Sequence, residues 1–280
     1  MIHSSTQLKA LVRNKSKGNS AKAQIIIRSY IMERFVERLS LSKYRSNFII
    51  KGGFLISSIV GIDTRSTMDI DGTIKNLELT VEKAKDMVEE IIAINLHDNT
   101  NFSINNIEYI MDESEYSGVR ISLEAQIDMM KTPLKVDIST GDVITPKEIS
   151  YALKLMFEER SISVFAYTLE TLLSEKLETI ISRGIANTRL RDFYDLYILQ
   201  IEKNNTIDYA LFKRAFVATI QKRSSDHLIE SGNLILQEIQ NSDVMQKLWN
   251  SYQEKYDYAK EIPWDSVMHS VCRLFASMHS

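Results

Sequence analysis

The chain has 280 residues, of which 44% are hydrophobic, 25% charged and 9% aromatic, with a formal net charge of −3. That balance is ordinary for a soluble globular protein with enough chain to bury a core, in one large domain or two modest ones. Nine Gly and three Pro exclude collagen-like and Pro/Gly-rich disordered classes and disfavour an all-β sandwich, while the single Cys272 excludes a disulfide framework and a Cys-rich zinc site. No apolar run reaches about 18 residues, and no apolar segment follows the polar, basic N-terminus, so a cytoplasmic protein without membrane contact is expected.

Taken in chain order, residues 7 to about 43 carry a helical stripe of Ile25, Ile26, Tyr30, Phe35, Val36 and Leu39. Asn47–Ile50 reads as a short strand ending at Gly52-Gly53, with a helix over Phe54–Val60. Met68–Ile74 alternates as a half-buried strand, and Thr80 caps a helix running to about Asn95. Ile104–Met111, Val119–Ile127 and Leu134–Ser139 follow as strands joined by short polar connections, an antiparallel meander. From about Pro146 onward the pattern reads as almost wholly helical. The expected class is therefore α+β, with residues 1–145 as helices plus an α/β domain and 146–280 as a helical domain that completes the active site.

The net charge hides a segregation. Residues 1–51 hold eleven Lys/Arg against Glu33 and Glu37, a net of +9, so the remaining 229 residues sum to −12. Such an end can bind a polyanion, or can simply be a solvated helical face.

Asp69 and Asp71 lie two apart on a strand, so their side chains leave one face about 6.6 Å apart at Cα. Carboxylates so placed suit hard divalent cations, Mg²⁺ or Mn²⁺. Asp137, between Val136 and Ile138 on a later strand, is a candidate third metal carboxylate for two-metal phosphoryl or nucleotidyl transfer. A lone D-x-D is commonly just an exposed strand face, but here it has company. Gly52 and Gly53 let the backbone approach a triphosphate at a helix N-terminus, and Arg65, Ser66 and Thr67 stand ready to donate to phosphate oxygens.

In the helical half, Lys176 projects within about 20° of Leu169 in the apolar stripe of residues 168–183. A lysine there needs an anion, a triphosphate or a carboxylate, unless it snorkels to the rim. Asp192 and Asp195, three apart, share one flank of the next helix; Asp192 is placed to pair with Lys176, to orient an attacking hydroxyl, or both. The five histidines, His279 among them, show no metal-ligand spacing.

The segments MERFVERLSLSKYRSNFIIKGG (32–53), RSTMDID (65–71), KVDIS (135–139), LLSEKLETIISRG (172–184) and RDFYDLY (191–197) together resemble the AbiEii/AbiGii-type toxin nucleotidyltransferases of bacterial abortive-infection and toxin–antitoxin systems. The resemblance spans about residues 7–200. It implies a DNA polymerase β-like nucleotidyltransferase mixed sheet with flanking helices and a largely helical C-terminal domain. It also implies metal binding by Asp69 and Asp71, nucleotide binding at Gly52-Gly53 with Ser66 and Thr67, and functional roles for Lys176 and Asp192.

By the same resemblance, the reaction is transfer of a nucleotide from an NTP with Mg²⁺ or Mn²⁺, most plausibly to a tRNA 3′ end, in a growth-arrest or phage-defence system. Its antitoxin is expected to be a DNA-binding repressor encoded nearby, without stable direct contact. A non-catalytic nucleotide- or RNA-binding regulator and a transferase acting on protein are the rival readings. The intact acidic pair argues against the first rival.

Overall fold

Short polar side chains set the first two helices. Ser4 accepts the Gln7 N–H at the start of α1 (Ser5–Ser16), and Asn19 accepts the Lys22 N–H at the start of α2 (Ser20–Leu41). The single helical stretch expected there is two helices, because Lys17 and Gly18 both take positive φ, 51° and 82°, which ends the first helix in a left-handed cap. The structure, a computed structural model, describes residues 2–111 and 117–278; His279 lies outside them. The chain forms two units, Met1–Asp142 with Glu148–Ala166, and Val143–Lys147 with Tyr167–Ser280.

The first unit is built on a seven-stranded mixed sheet. Its strands are β1 (Phe48–Lys51), β2 (Asp69–Ile74), β3 (Thr100–Met111), β4 (Ser117–Ile127), β5 (Met130–Thr140), β6 (Ile149–Lys154) and β7 (Ser161–Ala166), in the order β3-β4-β5-β2-β1-β7-β6. β3, β4 and β5 form the expected antiparallel meander; β2 runs parallel to β5, and β1 parallel to β7. Ile70, Val119, Ile121, Leu123, Val136 and Ile138 are buried on one face, so the alternation fixes the register: a slip of one residue would turn this set to solvent. Helices α3 (Gly52–Val60) and α4 (Val81–Ile92) complete the unit, and α2 packs on β5 and β7.

β6 and β7 correct the reading of a wholly helical chain after residue 146. They pair antiparallel, with Ile162, Val164 and Ala166 buried on alternate positions of β7. A six-residue strand gives only three inward positions, and the neighbouring Leu153-Lys154-Leu155-Met156-Phe157 run blurs that period.

α2 buries charge as well as apolar groups. Arg38 donates to both Asp98 oxygens, at 3.0 and 2.8 Å, and to the Thr100 carbonyl at 2.8 Å. Arg160 reaches both Glu37 oxygens, and both Glu33 oxygens accept the Met156 N–H. Much of the N-terminal basic excess is thus paired with acids, inside the fold at Arg34 and Arg38 and at the surface at Lys22 and Lys43. Lys22, Arg34, Arg38, Lys43 and Lys51 pair with Asp63, Glu37, Asp98, Glu90 and Asp142, leaving Lys9, Arg13, Lys15 and Lys17 as the exposed cations around α1.

The second unit holds six helices among the described residues: α5 (Leu169–Arg183), α6 (Leu190–Lys203), α7 (Tyr209–Lys222), α8 (Leu228–Gln240), α9 (Asp243–Lys255) and α10 (Trp264–Ala276). Thr168 caps α5 by accepting the Thr171 N–H, and Gly184 ends it at φ 52°. α5 packs against α6, α7 and α8, while α10 packs against α6 and α8, around Leu173, Leu177, Phe193, Phe212, Phe216 and Phe275. Among the described residues no helix is long and apolar enough to cross a membrane.

Candidate active site

β1 ends at Lys51 and α3 begins at once at Gly52, which takes φ +61°. A Cβ on Gly52 would sit 2.2 Å from the Asp71 Oδ2, so the glycine is demanded twice: by the backbone angle and by the approach of the carboxylate. Asp71 accepts the Gly53 N–H at 3.0 Å. It thereby satisfies one of the unpaired donors of the α3 N-terminus, where the helix dipole favours negative charge. A Cβ on Gly53 would lie 2.8 Å from the Thr67 Oγ1 and 3.0 Å from the Arg65 Nη2. The Gly-Gly turn and the Arg65-Ser66-Thr67 segment are therefore packed together, all three of the latter buried, with Arg65 donating to the Ser66 carbonyl.

Strand register brings the remaining charges into line. Lys51 on β1 faces Asp71 on β2, Asp71 faces Asp137 on β5, and Asp137 faces Arg120 on β4. Directly opposed residues share a face, and Asp69 shares it by the two-residue period. Burial, then repulsion from Asp137, push the Asp71 carboxyl above its ordinary range against the pull of the Gly53 N–H and Lys51, and Asp69 adds to the push.

Arg120 takes both oxygens of Asp137, Nε to Oδ1 at 2.8 Å and Nη2 to Oδ2 at 2.6 Å. Lys51 Nζ lies 2.5 Å from the Asp142 Oδ2, which also accepts the Ser139 hydroxyl at 3.0 Å. Among the described residues no three His, Cys, Asp or Glu side chains gather as a closed ligand set. A pair of carboxylates beside an anion-favouring helix end nevertheless fits a hard cation such as Mg²⁺, which usually takes one or two carboxylates and completes its shell with substrate phosphates and water.

The second unit brings together the other residues singled out in the sequence. Lys176 on α5 lies 2.6 Å from Asp192 and 2.8 Å from Asp195, both on α6. Arg189 Nε is 3.0 Å from the second Asp192 oxygen. Burial works against the Lys176 charge, but the two aspartates outweigh it and hold the ammonium above its usual range. The inward lysine thus has carboxylate partners, the second of the two anions its position called for.

Sequence reasoning placed Asp195, which is fully buried on that lysine, beside Asp192 on one helix flank but gave it no role. It gave no role to Arg120 either, whose pairing with Asp137 depends on a register that no local pattern discloses.

A model of the AbiEii family, described as nucleotidyl transferase AbiEii toxin, type IV toxin–antitoxin system, matches residues 34–270. No curated protein matches the chain. Among solved structures, MenT4, a nucleotidyltransferase toxin from Mycobacterium tuberculosis, is 14% identical with a TM-score of 0.58, the alignment covering 97% of this chain and 99% of that one. JHP933 from Helicobacter pylori is also 14% identical, with a TM-score of 0.50, covering 91% of this chain and 94% of that one. At such identity the likeness establishes the fold, a mixed nucleotidyltransferase sheet with flanking helices and a helical C-terminal part. Because the family match covers far more than half of the chain, this protein belongs to the AbiEii nucleotidyl transferase toxin family of type IV toxin–antitoxin systems.

Proposed function

We propose that this chain transfers the nucleotide of an NTP to the 3′ end of tRNA in a metal-dependent reaction, and so arrests growth. The observation that carries the reading is the carboxylate pair Asp69 and Asp71 on one strand face, with Asp71 pinned to the Gly53 N–H at 3.0 Å. Family membership brings an NTP substrate and an antitoxin partner.

Asp69 and Asp71 hold the cation, Mg²⁺ or Mn²⁺. A bound divalent ion neutralises triphosphate charge and polarises the attacked phosphate. Gly52, Gly53, Ser66, Thr67 and Arg65 form the phosphate cradle, their close packing leaving backbone N–H groups at the α3 N-terminus to meet anionic oxygens. A 3′-hydroxyl oxygen bonds to the α-phosphorus, the bond to the β-phosphate oxygen breaks, pyrophosphate departs and the hydroxyl proton passes to solvent. Lys176 and Asp192 are required for transfer, and Lys9, Arg13, Lys15 and Lys17 bear on the RNA backbone. The cognate antitoxin is a DNA-binding repressor encoded nearby that makes no stable contact with the toxin.

The test is to express the chain in bacterial cells and sequence tRNA 3′ ends, with Asp69→Asn alongside. Added nucleotides and growth arrest are expected with the wild type only. Arrest that persists with Asp69→Asn would instead support a non-catalytic RNA-binding regulator. Unaltered tRNA with nucleotide-modified protein would move the acceptor to protein.

A further inference from the structure

The charged row across the sheet contains a feature that metal binding alone does not explain. In register run Lys51, Asp71, Asp137 and Arg120. The two inner acids repel one another, and each outer cation is already engaged, Lys51 with Asp142 and Arg120 with Asp137. The Arg120 pairing is a bidentate fork with both contacts at 2.8 Å or less, the geometry in which an arginine–carboxylate pair is strongest and most directional. Asp137 therefore offers a cation only the lone pairs that the fork leaves over, and does so beside the arginine's own positive charge.

We infer that Arg120 is a positioning residue that withholds Asp137 from the divalent cation, so that the ion is carried by Asp69 and Asp71 while Arg120 sets how tightly it is held. This inference rests on the reading that Asp69 and Asp71 bind the ion. Arg120 supplies fixed positive charge to an acid-rich face before any ion arrives, and it competes with the ion for Asp137 afterwards. Both effects lower ion affinity, which keeps the ion exchangeable with each nucleotide. Arg120 is partly exposed and stands on the polar face of β4, so its removal leaves the apolar packing of the sheet untouched.

The experiment measures Mn²⁺ binding to the purified full chain by the electron paramagnetic resonance signal of free Mn²⁺, without nucleotide or RNA. Folding of every variant is checked by circular dichroism. Arg120→Gln should bind Mn²⁺ about tenfold tighter, equivalent to about 1.4 kcal/mol, because it releases a third carboxylate beside the pair. Asp137→Asn alone should bind Mn²⁺ more weakly than the wild type, because it leaves the Arg120 charge uncompensated, and the double variant Arg120→Gln/Asp137→Asn should return to about the wild-type affinity, since it removes both charges together. Arg120→Lys, with a point charge instead of a fork, should fall between wild type and Arg120→Gln.

Unchanged or weaker binding by Arg120→Gln overturns the inference while leaving the metal reading intact, provided Asp69→Asn abolishes binding. Binding that survives Asp69→Asn overturns the metal reading and this inference with it.

Discussion

Replacing Gly52 by alanine separates two demands that meet at one residue. The backbone there takes φ +61°, which costs an L-residue about 1–2 kcal/mol. The new Cβ would also stand 2.2 Å from the Asp71 Oδ2 and 2.7 Å from its Cγ, so the carboxylate must move and surrender the Gly53 N–H. A hydrogen bond to a charged group contributes about 1.5–3 kcal/mol, which corresponds to about ten- to hundredfold in a rate if Asp71 is needed where it stands. Gly61→Ala is the matched control, since Gly61 takes φ +92° with nothing within 4 Å of a built Cβ. Urea unfolding of the two variants reports backbone strain, and steady-state nucleotide transfer reports the position of Asp71. Both should lose stability by about 1–3 kcal/mol, but only Gly52→Ala should lose activity by the larger factor. A Gly52→Ala protein as active as Gly61→Ala would refute the claim that Asp71 works from its seat on the Gly53 N–H.

Glu33 offers a pH test. Burial pushes its carboxyl from 4.5 up to about 7, against the pull of the Met156 N–H, so the folded state holds the proton more tightly than the unfolded one. Its stabilising contribution is complete below about pH 4.5 and is lost as pH rises through 7, by at most about 3 kcal/mol. Glu33→Gln, which keeps an acceptor, should flatten that loss; an unchanged difference in urea midpoint between pH 5 and pH 8 would contradict it. Lys176→Met removes the cation that Asp192 and Asp195 share and should cost about 3–5 kcal/mol by chemical denaturation. A variant as stable as the wild type would show that the aspartates do not depend on Lys176.

The parts of the fold legible in the sequence were those where one physical demand dominates. Val119–Ile127 alternates because one face is buried and the other polar, so its place as a strand followed. Thr80 announced a helix start because it accepts a first-turn N–H. β6 and β7 were missed because strands of six residues carry too few inward positions to outweigh the helix-like run between them. The break at Lys17-Gly18 was missed because a left-handed cap needs only two residues and leaves the flanking stripes intact.

At the site, Asp69, Asp71 and the Gly-Gly turn were legible as local motifs, and the Asp71–Gly53 hydrogen bond now gives that association a physical cause. The basic excess of residues 1–51 was legible as a number but not as a surface, because its partners Asp98, Glu90 and Asp142 lie far along the chain. Arg120 on Asp137 was hidden for the same reason, being a product of strand pairing and not of spacing.

The most direct test of the central claim is transfer by the purified chain in vitro. It uses Mg²⁺, each α-³²P-labelled NTP in turn, and total bacterial RNA, with Asp69→Asn in parallel. The expected result is label on tRNA-sized RNA with wild type, for a preferred base, and none with Asp69→Asn. Label carried equally by Asp69→Asn, or no label on any acceptor even when cell lysate is supplied, would contradict the assignment of nucleotidyl transfer to this carboxylate pair.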